Sequence, residues 1–428
     1  MKIVFYAIGS RGDVQPSCVL VTEERLKYLV DQFEGLEFWP VQGDGCKPLF
    51  DCQMQSMLND DVNRNLEYVY NERKILDLCT PGRLQTFYDA STDVDMIVPS
   101  ALTITEAVCV MSFTKYNVIE VERVEKWRAN ELKLGTLKDP FRFMSEQNQN
   151  VILAFSERLL PGDKVPSDYF SKWHLTGFLF PKPNVFKVPD KILRFLDNGK
   201  KQPIVFSLGS MPTPNPLNIY TTLRSVVRKL STQVIIIKGW TVFDDMQDDE
   251  SCIFVDAIDH NWLFKQCSCI IHHGGVGTTA AAWKSGTPSL VTWMYFDQPF
   301  WGKRTTEIGC GKSLRLQSIN ETNLYNSLKE ILQNPSYKAR AMEVAHETNK
   351  TDGAAQAANI IEQSFQQYQQ HQHLQSDCST TSKMNDDNNI NNNNMHLLVG
   401  DSNINNNTLQ LSKSVTTLIS SSPVDSPT

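Results

Sequence analysis

The residues with the clearest chemical potential form a stretch rich in histidine and glycine between Ile270 and Thr279, which reads I-I-H-H-G-G-V-G-T-T. The stretch follows an apolar, strand-like run and opens a predicted helix, so its backbone amides can approach an anion at the positive end of the helix dipole. Its spacing is neither that of the dinucleotide-binding fingerprint nor that of the P-loop, because no Gly-Lys-Ser/Thr sequence follows. We predict a diphosphate-binding loop whose ligand is neither a nicotinamide cofactor nor the γ-phosphate of ATP.

A polar pair follows the next predicted strand along the chain. Ser289 to Trp293 form this short apolar strand, and Asp297 and Gln298 lie on the loop after it. Ligands of an open α/β sheet lie beyond the carboxyl ends of its strands, so we expect the pair and the glycine-rich loop to face the same crevice. A carboxylate beside a carboxamide can accept from and donate to adjacent sugar hydroxyls. The alternative is a helix start capped by Asp297 with Pro299 in its first position, which is compatible with sugar binding.

Both motifs lie in a part of the chain where apolar strands alternate regularly with helices. This part runs from about Pro189 to Glu362, and its pattern predicts a parallel sheet of six or seven strands covered by helices on both faces. The predicted strands are Ile204 to Leu208, Gln233 to Lys238, Cys252 to Asp256, Ser268 to His272, Ser289 to Trp293 and Lys312 to Leu316.

Two parts of different character flank this region. Met1 to about Val188 has a mixed pattern, in which Lys2 to Ile8, Asp95 to Pro99 and Val151 to Phe155 are predicted strands. Gln363 to Thr428 consists largely of glutamine and asparagine tracts and of serine and threonine. Such a sequence cannot bury enough apolar surface to offset the entropy of ordering, so we expect a disordered tail.

Composition excludes several classes of protein. The chain has 428 residues, of which 41% are apolar, enough for two domains of ordinary size. Its net charge of −7 argues against nucleic acid as a partner, since proteins that track phosphates present a basic face. No apolar run approaches the roughly 18 residues that suggest a membrane span, and the apolar start is too short for a signal peptide. The ten cysteines form no C-x-x-C pair, so we expect reduced thiols in a cytoplasmic protein.

A third motif follows the first predicted strand. Gly9 to Pro16 reads G-S-R-G-D-V-Q-P. Together with the glycine-rich loop and the pair Asp297-Gln298, this motif resembles the inverting GT-B glycosyltransferases. The resemblance is to the sterol 3-beta-glucosyltransferase family, which is similar to glycosyltransferase family 28, and to its relatives that glycosylate glycopeptide antibiotics. It runs with gaps from Met1 to about Glu362 and is strong over Pro203 to Gly311.

The resemblance implies an α/β fold of the GT-B type, in which two Rossmann-like domains face each other across a cleft. Residues 1–188 would form an abbreviated acceptor-binding domain and residues 189–362 a donor-binding domain, whose last helix packs back on the first domain. The reaction would be transfer of a hexose, glucose in the sterol enzymes, from a UDP-sugar to a lipophilic alcohol such as the 3-hydroxyl of a sterol, with inversion. Neither a metal nor another cofactor would take part, and contact with a membrane surface would be peripheral and transient.

The resemblance also assigns the chemical roles. Asp13 would be the general base that takes the proton of the acceptor hydroxyl, although an aspartate here could instead cap a helix that begins near Val14. His273 would donate a hydrogen bond to the departing diphosphate, although it could be an ordinary histidine at a strand end. The backbone amides expected to receive the diphosphate are those of Gly274, Gly275, Gly277 and Thr278.

Four further residues would contact the rest of the donor. Asp297 and Gln298 would orient the hexose. Ser210 would contact a phosphate from the loop after the first donor-domain strand, where Gly-Ser is also ordinary turn chemistry. Trp262 would border the uracil, although its Trp-Leu-Phe context is equally typical of a core side chain.

The N-terminal part differs from the family pattern. Between Gln15 and Val41, where the family has a helix, a strand and another helix, we predict one helix, Pro16 to about Gln32, before a strand over Leu36 to Val41. Met111 to Tyr116 replaces a longer segment that lines the acceptor pocket in the family. Two alternatives to a transferase follow: a nucleotide-sugar-binding protein without turnover, and a UDP-sugar epimerase of the same architecture.

Overall fold

The computed structural model describes the chain almost continuously from residue 187 to 381. Within this range it omits residues 199–200, 210, 212, 214, 240, 242, 244–245 and 295–296. The earlier residues that it describes are 3–6, 19–24, 27, 31, 37–41, 85–86, 89–90, 96–99, 129–130, 150–163 and 172–180, and residues 416–419 are described beyond the main range.

The first strands of the chain form a four-stranded parallel sheet in the order β3-β2-β1-β4. They are β1 (Ile3–Tyr6), β2 (Val19–Glu23), β3 (Glu37–Val41) and β4 (Met96–Pro99). In β1, Val4 lies opposite Val19 of β2 and opposite Ile97 of β4. This arrangement confirms the predicted first, third and fourth strands, while the loop that carries Asp13 lies outside the described residues.

Strand β2 corrects the prediction of a single helix over Pro16 to Gln32. Its sequence V-L-V-T-E contains three β-branched residues, which favour a strand, and its register with β1 and β3 places it inside the sheet. A short apolar run between two parallel strands lacks the alternation that identifies a half-buried strand, so periodicity alone does not separate it from a helix. The N-terminal sheet therefore keeps the second strand that the sequence suggested was missing.

A pair of parallel strands lies in the chain between this sheet and the region that begins at residue 187. Strands β5 (Asn150–Leu153) and β6 (Trp173–Leu175) place Ile152 opposite His174, and Ile152 is fully buried. Short 3₁₀ turns at Glu157–Leu159 and Pro161–Asp163 follow β5.

The larger sheet has six parallel strands in the order β12-β11-β10-β7-β8-β9. These strands are β7 (Ile204–Ser207), β8 (Val234–Ile237), β9 (Cys252–Val255), β10 (Cys269–His272), β11 (Ser289–Trp293) and β12 (Gly311–Arg315). The accompanying helices are α1 (Asp190–Asn198), α2 (Pro216–Lys229), α3 (His260–Leu263), α4 (Val276–Ser285), α5 (Gln298–Ile308), α6 (Glu321–Gln333) and α7 (Pro335–Asn349), with 3₁₀ turns at Phe264–Gln266 and Leu316–Ser318. All six predicted strands and the parallel sheet are confirmed.

Alternate residues of the central strands enter two separate apolar cores, one on each face of this sheet. Ile204 and Phe206 of β7 belong to the core covered by α2 and α6, whereas Val205 of β7 and Ile270 of β10 belong to the core covered by α1 and α3. Burial on both faces explains why these strands are continuously apolar in sequence.

The last helix, α8 (Gly353–Thr381), packs on β5, as the family resemblance implied. Ile361 contacts the cluster around Ile152, and the Asn150 side chain donates to Ser364 Oγ at 2.7 Å while its oxygen lies 2.7 Å from His174 Nε2. These contacts hold α8 against β5, a strand from the first part of the chain.

This helix also corrects the expected extent of disorder. The tail was expected to be disordered from Gln363, yet α8 continues to Thr381 because Ser364 and Phe365 still pack against the strands and glutamine is a good helix former. A further strand, β13 (Thr416–Ile419), pairs in parallel with β5, with Leu418 opposite Ile152. The rest of the tail lies outside the described residues.

Replacement of Ile361 by alanine tests the packing of α8. Ile361 is buried against Ile152, so Ile361→Ala should lower the free energy of unfolding by about 2–4 kcal/mol in chemical denaturation. The matched control is Gln363→Ala on the exposed side of the same helix, which should change stability by less than about 0.5 kcal/mol. Equal effects of the two substitutions would contradict this packing.

Candidate functional site at the start of helix α4

The strand order of the six-stranded sheet has one reversal, between β7 and β10. β7 continues to β8 and β9 on one side, whereas β10, β11 and β12 extend on the other side. The crevice beyond the carboxyl ends of strands at such a reversal is where open α/β sheets bind ligands. Ser207 at the end of β7 lies opposite His272 at the end of β10, so the loop after β10 borders this crevice.

The loop after β10 turns sharply at Gly274. Its φ of +90° is a conformation that side chains disfavour, and an added Cβ would lie 2.7 Å from Val291 Cγ1. The Gly274 N–H donates to Nδ1 of His272 at 3.1 Å. This amide is therefore already engaged, which differs from its predicted role as a donor to the diphosphate; the part of Gly274 in the site is to make the turn.

Helix α4 begins directly after this turn, without a side-chain cap. Gly275 is the residue before the helix and makes no side-chain capping bond, and the first amides of any helix lack partners within it. Gly277 and Thr278 in the first turn are buried, and Thr278 Oγ1 has no hydrogen-bond partner among the described residues. The roles of Gly275, Gly277 and Thr278 as donors to an anion stay predictions.

His273 lies against this helix start. An added Cβ on Gly275 would lie 2.3 Å from its Nε2, so only glycine lets the imidazole approach so closely. Burial, followed by the neighbouring His260, lowers the pKa of His273 to about 4, and the backbone of Ser207 opposes this shift. The ring is therefore neutral at pH 7 and carries one N–H, for which the Ser207 backbone oxygen is an acceptor within the protein. Donation to a phosphate oxygen stays a prediction.

His272 belongs to the same buried group. Burial, followed by the proximity of His273 and His260, lowers its pKa to about 3. Because Nδ1 accepts the Gly274 amide, the ring proton lies on Nε2. His260, which stacks on Phe264 at 4.5 Å between ring centroids, completes a group of three buried histidines. Sequence reasoning assigned a role only to His273, although the adjacent histidines in I-I-H-H indicated His272 as well.

Gln298, the second residue of the polar pair, lies beside the turn. An added Cβ on Gly274 would lie 3.2 Å from the backbone oxygen of Gln298 and 3.3 Å from its Cβ. Gln298 is buried, and its Oε1 accepts the Met294 N–H at 2.8 Å. The carboxamide oxygen therefore fixes the loop between β11 and α5, so its contribution to sugar recognition would come from the rest of the side chain.

Asp297 immediately precedes α5, but its side chain makes no capping bond. Its Oδ2 instead accepts a hydrogen bond from the Trp301 indole at 2.8 Å. The residue is exposed, yet surrounding protein atoms displace part of the water around its carboxylate and raise its pKa, which the Trp301 hydrogen bond opposes. Helix capping therefore does not explain why an aspartate stands at this position. The sequence analysis did not identify Trp301 as the hydrogen-bond donor to its carboxylate.

Three other predicted residues are less informative. Trp262 in α3 is half-buried and packs on the core that contains Val205 and Ile270, which favours the core alternative. Its contact with uracil remains a prediction. Ser210 and Asp13 lie outside the described residues.

Neither a metal-binding cluster nor a membrane-spanning helix is found among the described residues. No cluster of three or more histidine, cysteine, aspartate or glutamate side chains there could hold a metal ion. None of the helices in those ranges is long and apolar enough to cross a membrane. A cleft of about 810 Å³ between the C-terminal half of α5 and α7, lined by Arg304 and Arg340 among others, contains none of the predicted site residues.

Comparison with known proteins confirms the family resemblance. The family model of the C-terminal domain of erythromycin biosynthesis protein CIII-like proteins matches residues 232–363. A sterol 3-beta-glucosyltransferase of Eremothecium gossypii is 26% identical over 83% of this chain and 33% of its own length. A UDP-sugar-dependent glycosyltransferase of Dictyostelium discoideum is 22% identical over 84% of this chain and 26% of its own length. The chain therefore spans about a third or less of these relatives.

Solved structures confirm the fold. Spinosyn forosaminyltransferase superposes with a TM-score of 0.58 at 14% identity, covering 85% of this chain and 99% of that structure. The glycosyltransferase of kitacinnamycin gives a TM-score of 0.57, also at 14% identity, over 84% and 98% of the two chains. The fold is the predicted GT-B type.

The buried histidines predict a loss of stability in mild acid. In the unfolded chain they take up protons near pH 6.5, whereas in the folded chain the pKa values of His272 and His273 are about 3 and about 4. Below about pH 6.5 the unfolded state binds more protons. The free energy of unfolding should thus be highest above this pH. It should fall as the pH approaches 4, by up to about 1.4 kcal/mol per pH unit for each histidine. Chemical denaturation over this pH range measures the slope.

Two substitutions provide the comparison for this slope. His272→Asn should make the pH dependence shallower by the contribution of one histidine. His346→Asn, at an exposed position of α7, should leave it as in the wild type. Identical slopes in all three proteins would show that His272 is not held neutral.

Proposed function

We propose that the protein transfers glucose from UDP-glucose to a lipophilic alcohol, the 3-hydroxyl of a sterol, in a single displacement with inversion. The observation that carries this proposal is the uncapped start of α4 at the strand-order reversal, with the pair Asp297-Gln298 beside it. A site for phosphate alone would not need the polar pair. The sterol acceptor and the glucose are taken from the relatives named as sterol 3-beta-glucosyltransferases.

The donor half of the reaction rests on stabilisation of the departing UDP. The bond from the anomeric carbon to the diphosphate oxygen breaks, and negative charge develops on that oxygen. Oriented donors in a site with little water stabilise such charge by about 3–4 kcal/mol each, because they need no reorganisation. We assign this role to the amides of Gly275, Gly277 and Thr278, to the Thr278 hydroxyl and to the neutral ring of His273.

The acceptor half requires a base for the sterol hydroxyl. We assign this role to Asp13 because the G-S-R-G-D loop follows β1, and β1 ends inside the N-terminal parallel sheet with β2 and β4 as neighbours. Tyr6, the last residue of β1, therefore lies at the carboxyl edge of that sheet, where α/β folds bind ligands. In this proposal the hydroxyl oxygen attacks the anomeric carbon as its proton moves to the Asp13 carboxylate, and UDP leaves from the opposite face.

A turnover assay with Asp13→Asn tests the proposal. Purified protein incubated with UDP-glucose and a panel of sterols should form a steryl glucoside, and Asp13→Asn should lower the rate at least about 100-fold while UDP-glucose affinity in calorimetry stays unchanged. Equal rates for the two proteins would rule out Asp13 as the base. Binding of UDP-glucose without product would favour the binding-protein alternative, and sugar isomerisation without an acceptor would favour the epimerase.

A pair of threonine substitutions tests the anion site independently of turnover. Thr278 and Thr305 both have fully buried hydroxyls without a hydrogen-bond partner among the described residues, but only Thr278 lies at the start of α4. Thr278→Val should weaken UDP binding about 10-fold in calorimetry, because it removes one hydrogen bond to a charged group and conserves the shape. Thr305→Val should leave UDP affinity unchanged, and neither substitution should lower stability. Unchanged UDP binding by Thr278→Val would exclude its hydroxyl from the site.

A further inference from the structure

The Trp301 indole occupies a defined position between a buried aromatic cluster and an exposed carboxylate. Trp301 is buried, and its N–H donates to Asp297 Oδ2 at 2.8 Å. We propose that Trp301 is a positioning residue for sugar specificity: it holds one oxygen of the Asp297 carboxylate and thereby aims the other at a hydroxyl group of the donor sugar. This inference rests on the proposed function of the site and adds a residue to it.

Four aromatic rings prevent the indole from turning away. The centroid of the Trp301 indole lies 4.9 Å from that of Phe300, 5.8 Å from that of Trp283, 6.3 Å from that of Phe155 and 6.5 Å from that of Phe178. Three of these contacts are edge-to-face, a favourable geometry for aromatic pairs. With the ring fixed by packing, the N–H has a fixed direction, so the carboxylate that accepts it also has one.

A carboxylate needs such a partner at this position. Asp297 is exposed and makes no capping bond to the amides of α5, and apart from the indole its carboxylate is bonded only to its own backbone among the described residues. A hydrogen bond to an ionised carboxylate is about twice as strong as one between neutral groups. The bond from Trp301 also favours the ionised form against the desolvation that raises the pKa of Asp297. The carboxylate is thereby kept as an acceptor, the form that a sugar hydroxyl can bind.

The cluster also explains why the position of Asp297 depends on distant parts of the chain. Phe155 and Phe178 flank strands β5 and β6, which precede the six-stranded sheet, whereas Trp283 is part of α4. Trp301 thus contacts both the helix whose start would bind the diphosphate and the segment that leads from the N-terminal sheet. Residues i and i+4 share one face of a helix, which places Trp301 directly behind Asp297.

Affinities of Trp301→Phe for UDP-glucose and for UDP test the inference. The substitution removes the N–H and keeps an aromatic ring, so affinity for UDP-glucose should fall about 10-fold while affinity for UDP stays within about twofold of the wild type. The same variant should also bind UDP-glucose and a UDP-deoxyglucose lacking the recognised hydroxyl with more similar affinities than the wild type does. Calorimetry gives all of these values without requiring turnover.

Trp283→Phe is the matched control, because it removes an indole from the same cluster but leaves the hydrogen bond from Trp301 to Asp297 intact. Trp283→Phe should leave the ratio of the affinities for UDP-glucose and UDP unchanged. If Trp301 acts through Asp297, the double substitution Trp301→Phe with Asp297→Ala should weaken UDP-glucose binding no more than Asp297→Ala alone. Replacement of Trp301 by its benzothiophene isostere, which lacks only the N–H, gives the same comparison if the phenylalanine variant does not fold.

Each remaining outcome has a definite meaning. Wild-type affinity of Trp301→Phe for UDP-glucose would overturn the inference. An equal loss of UDP and UDP-glucose affinity would overturn it too, since it would show that Trp301 only supports the fold of the site. Failure of the wild-type protein to bind UDP at all would instead refute the proposed function on which the inference rests.

Discussion

The sharp turn at Gly274 is the constraint on which the rest of the site depends. Strand β10 ends at His272, and α4 begins at Val276, so the chain must change direction within three residues. Only a glycine satisfies the φ of +90° and the close contact with Val291, and the Gly274 amide is satisfied locally by the His272 ring. The turn leaves α4 without a cap at the one reversal of strand order in the larger sheet. A structural requirement therefore produces a set of amides that can bind an anion.

The electrostatics of the site follow from burial. His272 and His273 are neutral because the surrounding protein excludes water and because each lies near another histidine. A diphosphate at this helix start would thus be met by amide dipoles, a hydroxyl and a neutral N–H. Dipoles held in place by the fold stabilise developing charge without first having to reorient. Stabilisation of the charge on a departing group raises the reaction rate, whereas equally tight binding of the substrate would not.

Helix α8 and the aromatic cluster around Trp301 both pack on the segment that contains β5 and β6. Helix α8 packs on β5 through Ile361 and Ser364, and the aromatic cluster around Trp301 includes Phe155 and Phe178 from the segments that flank β5 and β6. The loop that carries Asp297 is therefore supported by residues far from it in sequence. This packing stabilises the start of the glutamine-rich segment, which is helical as far as Thr381.

The sequence by itself determined the strands and helices of the six-stranded sheet. Apolar runs bounded by glycine and proline were enough to place all six strands of the larger sheet, and the glycine-rich motif was enough to place the turn between β10 and α4. Only the tertiary structure decided which groups at this site are available. It showed that the Gly274 amide is engaged, that Asp297 pairs with Trp301 and that β2 is a strand. The first two contacts join residues only two and four positions apart, yet the sequence does not specify which atoms pair, because that depends on the positive φ of Gly274 and on the packing of the Trp301 indole. The third depends on the pairing of β2 with β1 and β3.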